Sequence, residues 1–256
     1  MTSRRRMRWA MKQRRATGMA PVLAGWVFAL LLAPFPLDAE PDYAGQRVAL
    51  VDEVIATQAR YGDRPLDPTV LDALGRTERH LFVPEEVRAA AYANRPLPIG
   101  HGQTISQPFI VALMTELLRV VPGDRVLEVG TGSGYQAAIL AEIGVEVFTL
   151  EIVEPLAIEA KARLAALGYD GVTVQHGDGY YGWPDRAPFD AVIVTAAASH
   201  IPPPLVDQLK PGGRMVIPVG SRFFTQHLML IEKGDDGTPS VRQLLPVRFV
   251  PLTGGH

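Results

Sequence analysis

The stretch RVLEVGTGSGYQAAILA, residues 125–141, places three closely spaced glycines between two segments of different periodicity. The apolar run before the first glycine is typical of a buried strand, and the spacing of apolar residues after the last glycine is typical of a helix. A turn without Cβ atoms at the start of a helix lets a ligand lie against backbone amides. The stretch therefore predicts a strand–turn–helix ligand site.

Downstream of this turn, strand-like segments continue to the C-terminal end. Including the first, they cover residues 125–130, 146–152, 172–178, 189–196, 214–220, 227–233 and 245–252. Helices predicted at Tyr135–Ile143 and Pro155–Leu167 separate the earlier strands, which indicates βαβ units and a mostly parallel sheet. The turn-rich link at 234–240 has no helical pattern, so the last two strands are expected to pair antiparallel at one edge.

Upstream of the turn the pattern is helical. Residues 43–93 have apolar spacings of three and four, and Phe109–Val121 predicts a further helix that stops at the following Pro-Gly. We expect an N-terminal helical segment with a substrate loop at 40–122 and the ligand-binding core at 123–256, together one compact domain over 40–256.

The N-terminal end differs from the rest in charge and hydropathy. The first fifteen residues carry seven Lys or Arg and no acid, and the chain from Ala16 to Leu37 is uncharged with an apolar centre at Val22–Ala33. A basic start, a short apolar centre and a small-residue exit predict a signal peptide over 1–39, with an uncleaved membrane anchor as the alternative. A misassigned start codon on a cytosolic protein is the third interpretation.

Composition excludes several classes of site. The chain has no cysteine, so disulfides, zinc–thiolate sites and cysteine nucleophiles are absent, and its six histidines have no ligand spacing, so no metal is expected. Outside the first fifteen residues, 18 basic residues face 27 acidic ones, a net charge of 18 − 27 = −9. An acidic body argues against a nucleic-acid partner, because such surfaces neutralise phosphates with Lys and Arg.

Acidic side chains follow or end the first three predicted strands. Glu128 precedes the glycine turn, Glu151 ends the second strand and Asp178 ends the third. The G-x-G-x-G spacing of Gly130, Gly132 and Gly134 departs from the G-x-G-x-x-G of dinucleotide sites, and an acid at 128 suits a cationic or amine-bearing ligand. Acids at strand ends, aimed at ribose hydroxyls and an adenine amino group, favour S-adenosylmethionine. A surface charge at 151 and a helix N-cap at 178 remain alternatives.

Six segments then carry a resemblance over roughly residues 48–253. The segments LPIGHGQTISQP, VLEVGTGSGYQAAILA, HGDGYYGW, APFDAVIVTAA, LKPGGRMVIPVG and RFVPL, in this order, resemble the protein-L-isoaspartate O-methyltransferase family. The resemblance implies an α/β class I methyltransferase fold, Rossmann-like, with a mostly parallel seven-stranded sheet, helices on both faces, an antiparallel edge strand and an N-terminal helical extension.

The resemblance also implies the reaction. The methyl group of S-adenosylmethionine would pass to the α-carboxylate of L-isoaspartyl residues in damaged proteins or peptides, and repair would proceed through the methyl ester and a succinimide. The partners would be such proteins, the enzyme is expected to be a monomer, and membrane contact would come only through an uncleaved leader.

The predicted site residues, all but Glu128 carried over from the family, fall into three groups. The catalytic positions are Ser106, with Thr104 assisting. The cofactor positions are Glu128, Gly130, Gly132, Gly134, Glu151, Asp178 and Gly179. The substrate positions are Gln103 and Thr253. A carboxylate is already ionised at pH 7, so it needs orientation by hydrogen bonds and no general base. Ser106 as an ordinary turn or N-cap residue of the following helix remains an alternative.

Alternative functions remain at this point. A related methyltransferase could act on another small-molecule carboxylate or hydroxyl, a nicotinamide dehydrogenase is disfavoured by the glycine spacing, and a noncatalytic adenosine-binding module would bind without turnover. The leader predicts a periplasmic or exported protein, whereas members of the family are expected in the cytoplasm, where the methyl donor is made.

Overall fold

The strands form one long sheet and one hairpin. A computed structural model describes residues 41–62, 64–221 and 223–255. The strands are β1 (Leu97–Gly100), β2 (Gln103–Ile105), β3 (Arg125–Val129), β4 (Glu146–Glu151), β5 (Val172–His176), β6 (Phe189–Val194), β7 (Leu209–Val219), β8 (Gln226–Lys233) and β9 (Pro239–Val247). The long sheet has the order β5-β4-β3-β6-β7-β8-β9, and the hairpin pairs β1 with β2.

The first five strands of this sheet are parallel, and the expected mostly parallel architecture is confirmed. Strand β8 runs antiparallel to both of its neighbours, β7 and β9. The reversed strand therefore lies one position in from the edge. Parallel strands bring their carboxyl ends to the same side of a sheet, which is where open α/β sheets bind ligands.

Six α-helices are described. They are α1 (Tyr43–Tyr61), α2 (Pro68–Arg76), α3 (Pro108–Leu118), α4 (Tyr135–Ile143), α5 (Glu154–Ala166) and α6 (Pro203–Asp207), with 3₁₀ turns at Arg79–Phe82, Glu85–Ala90, Gly179–Tyr181 and Pro184–Arg186. Two starts are fixed by side chains, because Asp42 accepts a hydrogen bond from the amide of Gly45 and Asp67 accepts one from the amide of Thr69.

Alternate residues of each strand pack against opposite faces of the sheet. Val126 of β3 and Ile193 of β6 join the apolar core shared with helices α1–α5, whereas Leu127 and Val192 join a second core with Trp183 and Leu205. This period of two is what a strand covered on both faces requires. Residues Pro41–His256 form one compact unit.

Several predicted boundaries were wrong. The last strand was expected at 245–252 but runs from Pro239 to Val247, because a tight turn closed by Gly234 and Thr238 needs fewer residues than the predicted link. Residues 248–252 leave the sheet and cross its carboxyl edge, where Pro251 bridges Ala197. The hairpin at 97–105 was not predicted as strand, because a proline and two glycines hide its alternation.

The predicted leader, 1–39, lies outside the described residues. Within the ranges that the structure does describe, we find no helix whose length and apolar character would let it cross a bilayer.

Candidate functional site

The glycine turn leaves β3 at the carboxyl edge of the sheet and is anchored to the neighbouring strand. The amides of Gly130 and Thr131 both donate to the carbonyl of Leu150, at 2.8 and 3.2 Å. Gly130 has a φ of +99°, and a Cβ atom there would lie 2.4 Å from the hydroxyl of Thr195. The turn can therefore take this path only with glycine at 130.

A cleft opens beside this turn, and we call it the glycine cleft. It encloses about 760 Å³, part of it open to solvent. Nine of the predicted site residues line it, namely Gln103, Thr104, Ser106, Glu128, Gly130, Gly132, Glu151, Gly179 and Thr253. The structure thus brings together positions from the β1–β2 hairpin, three strand ends and the C-terminal segment.

Glu151, at the end of β4, is almost fully buried and already holds two backbone amides. Its Oε2 accepts from the amide of Gly132 at 2.8 Å, and its Oε1 accepts from the amide of Val153 at 2.9 Å. Each carboxylate oxygen has a second lone pair that can accept a ligand hydroxyl. Glu151 therefore ties the glycine turn to β4 while it faces the cleft.

Glu128 is a carboxylate without a partner. It is 0% exposed, and among the described residues neither of its oxygens has a hydrogen-bond partner. Burial raises the pKa of Glu128 to about 8, and the charge of Glu151 adds to this rise. The nearby Thr149 hydroxyl is paired with the hydroxyl of Thr131. An unpaired buried acid that lines a cleft is suited to a ligand that brings a hydrogen-bond donor or a positive charge.

Ser106 lies where the glycine cleft meets a second pocket. This pocket, which we call the Phe249 groove, lies between residues 104–110, from the end of β2 to the start of α3, and the segment 246–250. Its volume is about 1010 Å³, part of it open to solvent. Thr104, Ser106, Thr195 and Val250 line both. The Ser106 side chain is half-buried and makes no hydrogen bond among the described residues. The N-cap of α3 is Gln107, so the hydroxyl of Ser106 does not cap that helix.

Two of the predicted cofactor positions do not line the cleft. Gly134 occupies the N-cap position of α4 with a φ of +88°, and a Cβ atom there would meet Leu164 of α5 at 3.1 Å. Its lack of a side chain serves the packing of two helices. The Asp178 carboxylate accepts from the amides of Tyr180 and Gly255, both at 3.0 Å, so it caps a 3₁₀ turn and holds the C-terminal segment.

No group of three His, Asp or Glu residues in the described ranges is close enough to hold a metal ion. The polar groups of the glycine cleft are instead carboxylates, hydroxyls and backbone amides.

Residues 51–256 match the family model described as protein-L-isoaspartate(D-aspartate) O-methyltransferase. The chain belongs to this family.

Two curated relatives are at least 60% identical to the chain over most of their own length. The protein-L-isoaspartate O-methyltransferase 1 of Nitrosospira multiformis is 60% identical over 221 residues, which cover 86% of this chain and 92% of the relative. The protein-L-isoaspartate O-methyltransferase 2 of a Polaromonas species is 63% identical over 206 residues, which cover 80% of this chain and 96% of the relative. The family resemblance of the sequence is confirmed.

Solved structures of the family share the fold. A protein-L-isoaspartate O-methyltransferase structure is 28% identical with a TM-score of 0.71, and the match covers 80% of this chain and 66% of the other. A crystal structure of the Plasmodium falciparum β-aspartate methyltransferase, in complex with S-adenosyl-L-homocysteine, is 28% identical with a TM-score of 0.68 and covers 81% and 98% of the two chains. The class I methyltransferase fold is confirmed.

Sequence reasoning missed two threonines that line the glycine cleft, Thr131 and Thr195. The Thr195 hydroxyl donates to the carbonyl of Gly130 at 2.6 Å, and Thr131 pairs with Thr149 through their hydroxyls, also at 2.6 Å. A threonine that ends a buried β-branched strand gives no pattern of its own, since β propensity alone explains it. Only the pairing of β3 with β6 and β4 places these hydroxyls beside the turn.

Proposed function

We propose that the glycine cleft binds S-adenosylmethionine, that the Phe249 groove receives the protein substrate, and that Ser106 orients the acceptor between them. The chain is a protein-L-isoaspartate O-methyltransferase. It transfers a methyl group from S-adenosylmethionine to the α-carboxylate of L-isoaspartyl residues in damaged proteins and peptides. The resulting methyl ester closes to a succinimide, and so repair begins.

The residues of the glycine cleft fit this cofactor. When bound, S-adenosylmethionine supplies a methyl group activated by a positively charged sulfur. Glu128, unpaired and buried, provides a carboxylate for the positive end of the ligand. A cation near Glu128 favours the ionised form of its carboxyl group. Binding of the ligand therefore releases the proton that Glu128 holds in the free protein because it is buried.

The adenosyl group is held by strand ends and backbone. Glu151 accepts the ribose hydroxyls with lone pairs that Gly132 and Val153 leave available. Gly179 lines the cleft next to Asp178, whose carboxylate accepts an amide from each of two segments and so fixes the turn at the adenine end. Gly130 lets the turn pass close to Thr195 beside the cleft, because a Cβ atom at this position would lie 2.4 Å from the Thr195 hydroxyl.

The acceptor carboxylate has to be positioned for the transfer and does not have to be activated by a base. The substrate α-carboxylate is ionised at neutral pH, so no group of the chain has to remove a proton from it. The hydroxyl of Ser106 donates to this carboxylate and directs one oxygen toward the cleft, and Thr104 adds a second donor. Gln103 and Thr253 line the same cleft and restrict the approach of the acceptor.

One observation carries this assignment. The Ser106 hydroxyl makes no hydrogen bond with the described residues and lines both the glycine cleft and the Phe249 groove. A donor between two binding spaces can hold one ligand against the other, which is the requirement of a direct transfer.

The decisive experiment uses two peptides of the same sequence, one with an L-isoaspartyl residue and one with the normal aspartyl residue. With methyl-labelled S-adenosylmethionine, label should enter only the isoaspartyl peptide. Equal labelling of both peptides would favour a broader carboxyl methyltransferase. Binding of S-adenosylhomocysteine without any labelling would favour a noncatalytic adenosine-binding protein.

The location and assembly of the protein are also proposals. The basic and apolar character of residues 1–39 supports export to the periplasm by an N-terminal signal, although the methyl donor is made in the cytosol. Mass spectrometry of the N-terminus from fractionated cells tests it: a periplasmic chain that begins near residue 40 supports export, and a cytoplasmic chain with an intact leader opposes it. We propose a monomer, which light scattering of the purified enzyme tests.

A further inference from the structure

Arg79 is a fully buried cation near the site. It begins the 3₁₀ turn after α2 and is 0% exposed. No described carboxylate lies within salt-bridge distance of it; its hydrogen bonds go to backbone carbonyls. A buried guanidinium without an acid partner is costly to the fold. Such a residue calls for an explanation in terms of what it holds.

The carbonyls that Arg79 holds belong to the acceptor side of the site. Its Nη2 donates to the carbonyl of Ser106 at 2.8 Å and lies 3.4 Å from that of Arg95, and its Nε donates to the carbonyl of Ala91 at 2.9 Å. One rigid fork therefore links the segment before the β1–β2 hairpin to the residue after it.

The same guanidinium contacts the cofactor side. Its central carbon lies 4.7 Å from the ring centre of Tyr135, a cation–π contact. Tyr135 lines the glycine cleft and is the first residue of α4, directly after Gly134. Burial raises the pKa of Tyr135 to about 12, so its ring is neutral at neutral pH. Burial lowers the pKa of Arg79, and Tyr135 opposes that change. An arginine guanidinium keeps its charge in proteins, so the pair consists of a cation and a neutral ring.

We propose that Arg79 is a positioning residue that sets the Ser106 hydroxyl relative to the ligand of the glycine cleft. The inference rests on the proposed function. Because Arg79 holds the carbonyl of Ser106, it fixes the peptide plane that follows Ser106 and so the backbone position from which the side chain projects. Because it also lies on Tyr135, it keeps the acceptor loop in register with the start of α4. Its charge further favours an anion nearby in a site of low dielectric.

Arg163 provides a matched control. Its Nη1 donates to the carbonyl of Ser133 at 2.8 Å, and Ser133 also lines the glycine cleft, within the glycine turn. Both arginines therefore hold the backbone carbonyl of a serine at the cleft, one on the acceptor side and one on the cofactor side. Lysine keeps the charge but lacks the planar guanidinium fork. Arg79→Lys therefore removes the fork on the acceptor side of the cleft, and Arg163→Lys removes it on the cofactor side.

The test compares these two variants with the wild type in the full-length enzyme, at a temperature well below the unfolding of each. We measure kcat and KM for the isoaspartyl peptide, KM for S-adenosylmethionine and the affinity for S-adenosylhomocysteine. Arg79→Lys should lower kcat/KM for the peptide about 10-fold or more, the effect of one misplaced hydrogen bond to a charged group. Its S-adenosylhomocysteine affinity should stay close to that of the wild type, whereas Arg163→Lys should weaken that affinity.

A second measurement uses Arg79→Ala, in which the loss of peptide turnover is expected to be larger. In Arg79→Ala, added guanidinium ions should restore part of the peptide turnover, while the affinity for S-adenosylhomocysteine, which a general loss of structure would lower, should stay close to that of the wild type. An unchanged kcat/KM for the peptide in Arg79→Lys would overturn the role of Arg79. An equal loss of kcat/KM for the peptide in Arg79→Lys and Arg163→Lys would also overturn it. If the wild type itself fails to label the isoaspartyl peptide, the proposed function falls, and this inference falls with it.

Discussion

Glu151 and Gly132 lie in different strand–helix connections, and a 2.8 Å hydrogen bond from the Gly132 amide to the Glu151 Oε2 joins them. The carboxylate that we expect to bind ribose is thus also a support for the glycine turn. Removal of Glu151 consequently removes a ligand contact and a backbone anchor together.

We expect Glu151→Ala to weaken the binding of S-adenosylhomocysteine by about 1–3 kcal/mol, or roughly 5- to 150-fold, because ligand hydroxyls and the Gly132 amide lose an acceptor. Isothermal titration calorimetry measures this loss. Glu154→Gln, at an exposed position at the start of α5, is the control and should bind like the wild type. An unchanged affinity in Glu151→Ala would place the ribose elsewhere.

Ser106→Ala should leave cofactor affinity intact and lower kcat/KM for the isoaspartyl peptide by about 10- to 150-fold. This range follows from the loss of one hydrogen bond to a carboxylate, about 1.5–3 kcal/mol. Steady-state kinetics with the peptide and calorimetry with S-adenosylhomocysteine separate the two effects. Equal rates for the variant and the wild type would remove Ser106 from the mechanism.

Gly130→Ala should reduce both stability and cofactor binding, since a Cβ atom would lie 2.4 Å from the Thr195 hydroxyl and the φ of +99° disfavours alanine. We expect a loss of about 1–3 kcal/mol in the free energy of unfolding. The double variant Gly130→Ala with Thr195→Ala relieves the contact and should regain part of this stability. The strained φ persists in it, so a double variant that matched wild-type stability would contradict this account.

The raised pKa of Glu128 predicts a dependence of stability on pH. Its pKa is 4.5 when unperturbed and about 8 in the fold, so the folded chain holds a proton that the unfolded chain releases between these values. The contribution of Glu128 to stability is present below pH 4.5 and is lost as pH rises to 8. Urea unfolding from pH 5 to 9 without ligand should show this fall.

Glu128→Gln should flatten that fall, because glutamine does not titrate. The same variant should bind S-adenosylmethionine more weakly than the wild type, with the largest difference above pH 8, where the wild-type carboxylate is ionised. A pH profile of unfolding that is identical in the variant and the wild type would show that Glu128 does not hold the proton.

Local patterns were enough to predict the central part of the fold. The helix at Tyr135–Ile143 was predicted with its observed bounds, and the parallel strands followed from alternation of strand and helix. The pattern failed where turns decide the structure: β9 begins six residues earlier than expected, and β7 begins at Leu209 through a glycine-rich stretch that gives no strand pattern. Glycine and proline hide periodicity, so the hairpin at 97–105 was also missed.

The candidate site shows the same division. Strand-end acids and glycines can be identified from spacing, and most of them line the cleft. The sequence did not distinguish Glu128, which has no partner, from Asp178, which is occupied by the amides of Tyr180 and Gly255. That difference depends on the path of the C-terminal segment and on burial, and both are tertiary properties. The roles of Thr195 and Arg79 depend on contacts across the sheet and loops in the same way.

The shared lining of the two pockets has a practical consequence for inhibitor design. Thr104, Ser106, Thr195 and Val250 form a neck between the glycine cleft and the Phe249 groove. A bisubstrate compound, an adenosyl group tethered to a peptide, would have to pass its linker through that neck. The first compound to synthesise has a short saturated tether with one hydrogen-bond acceptor placed to receive the Ser106 hydroxyl.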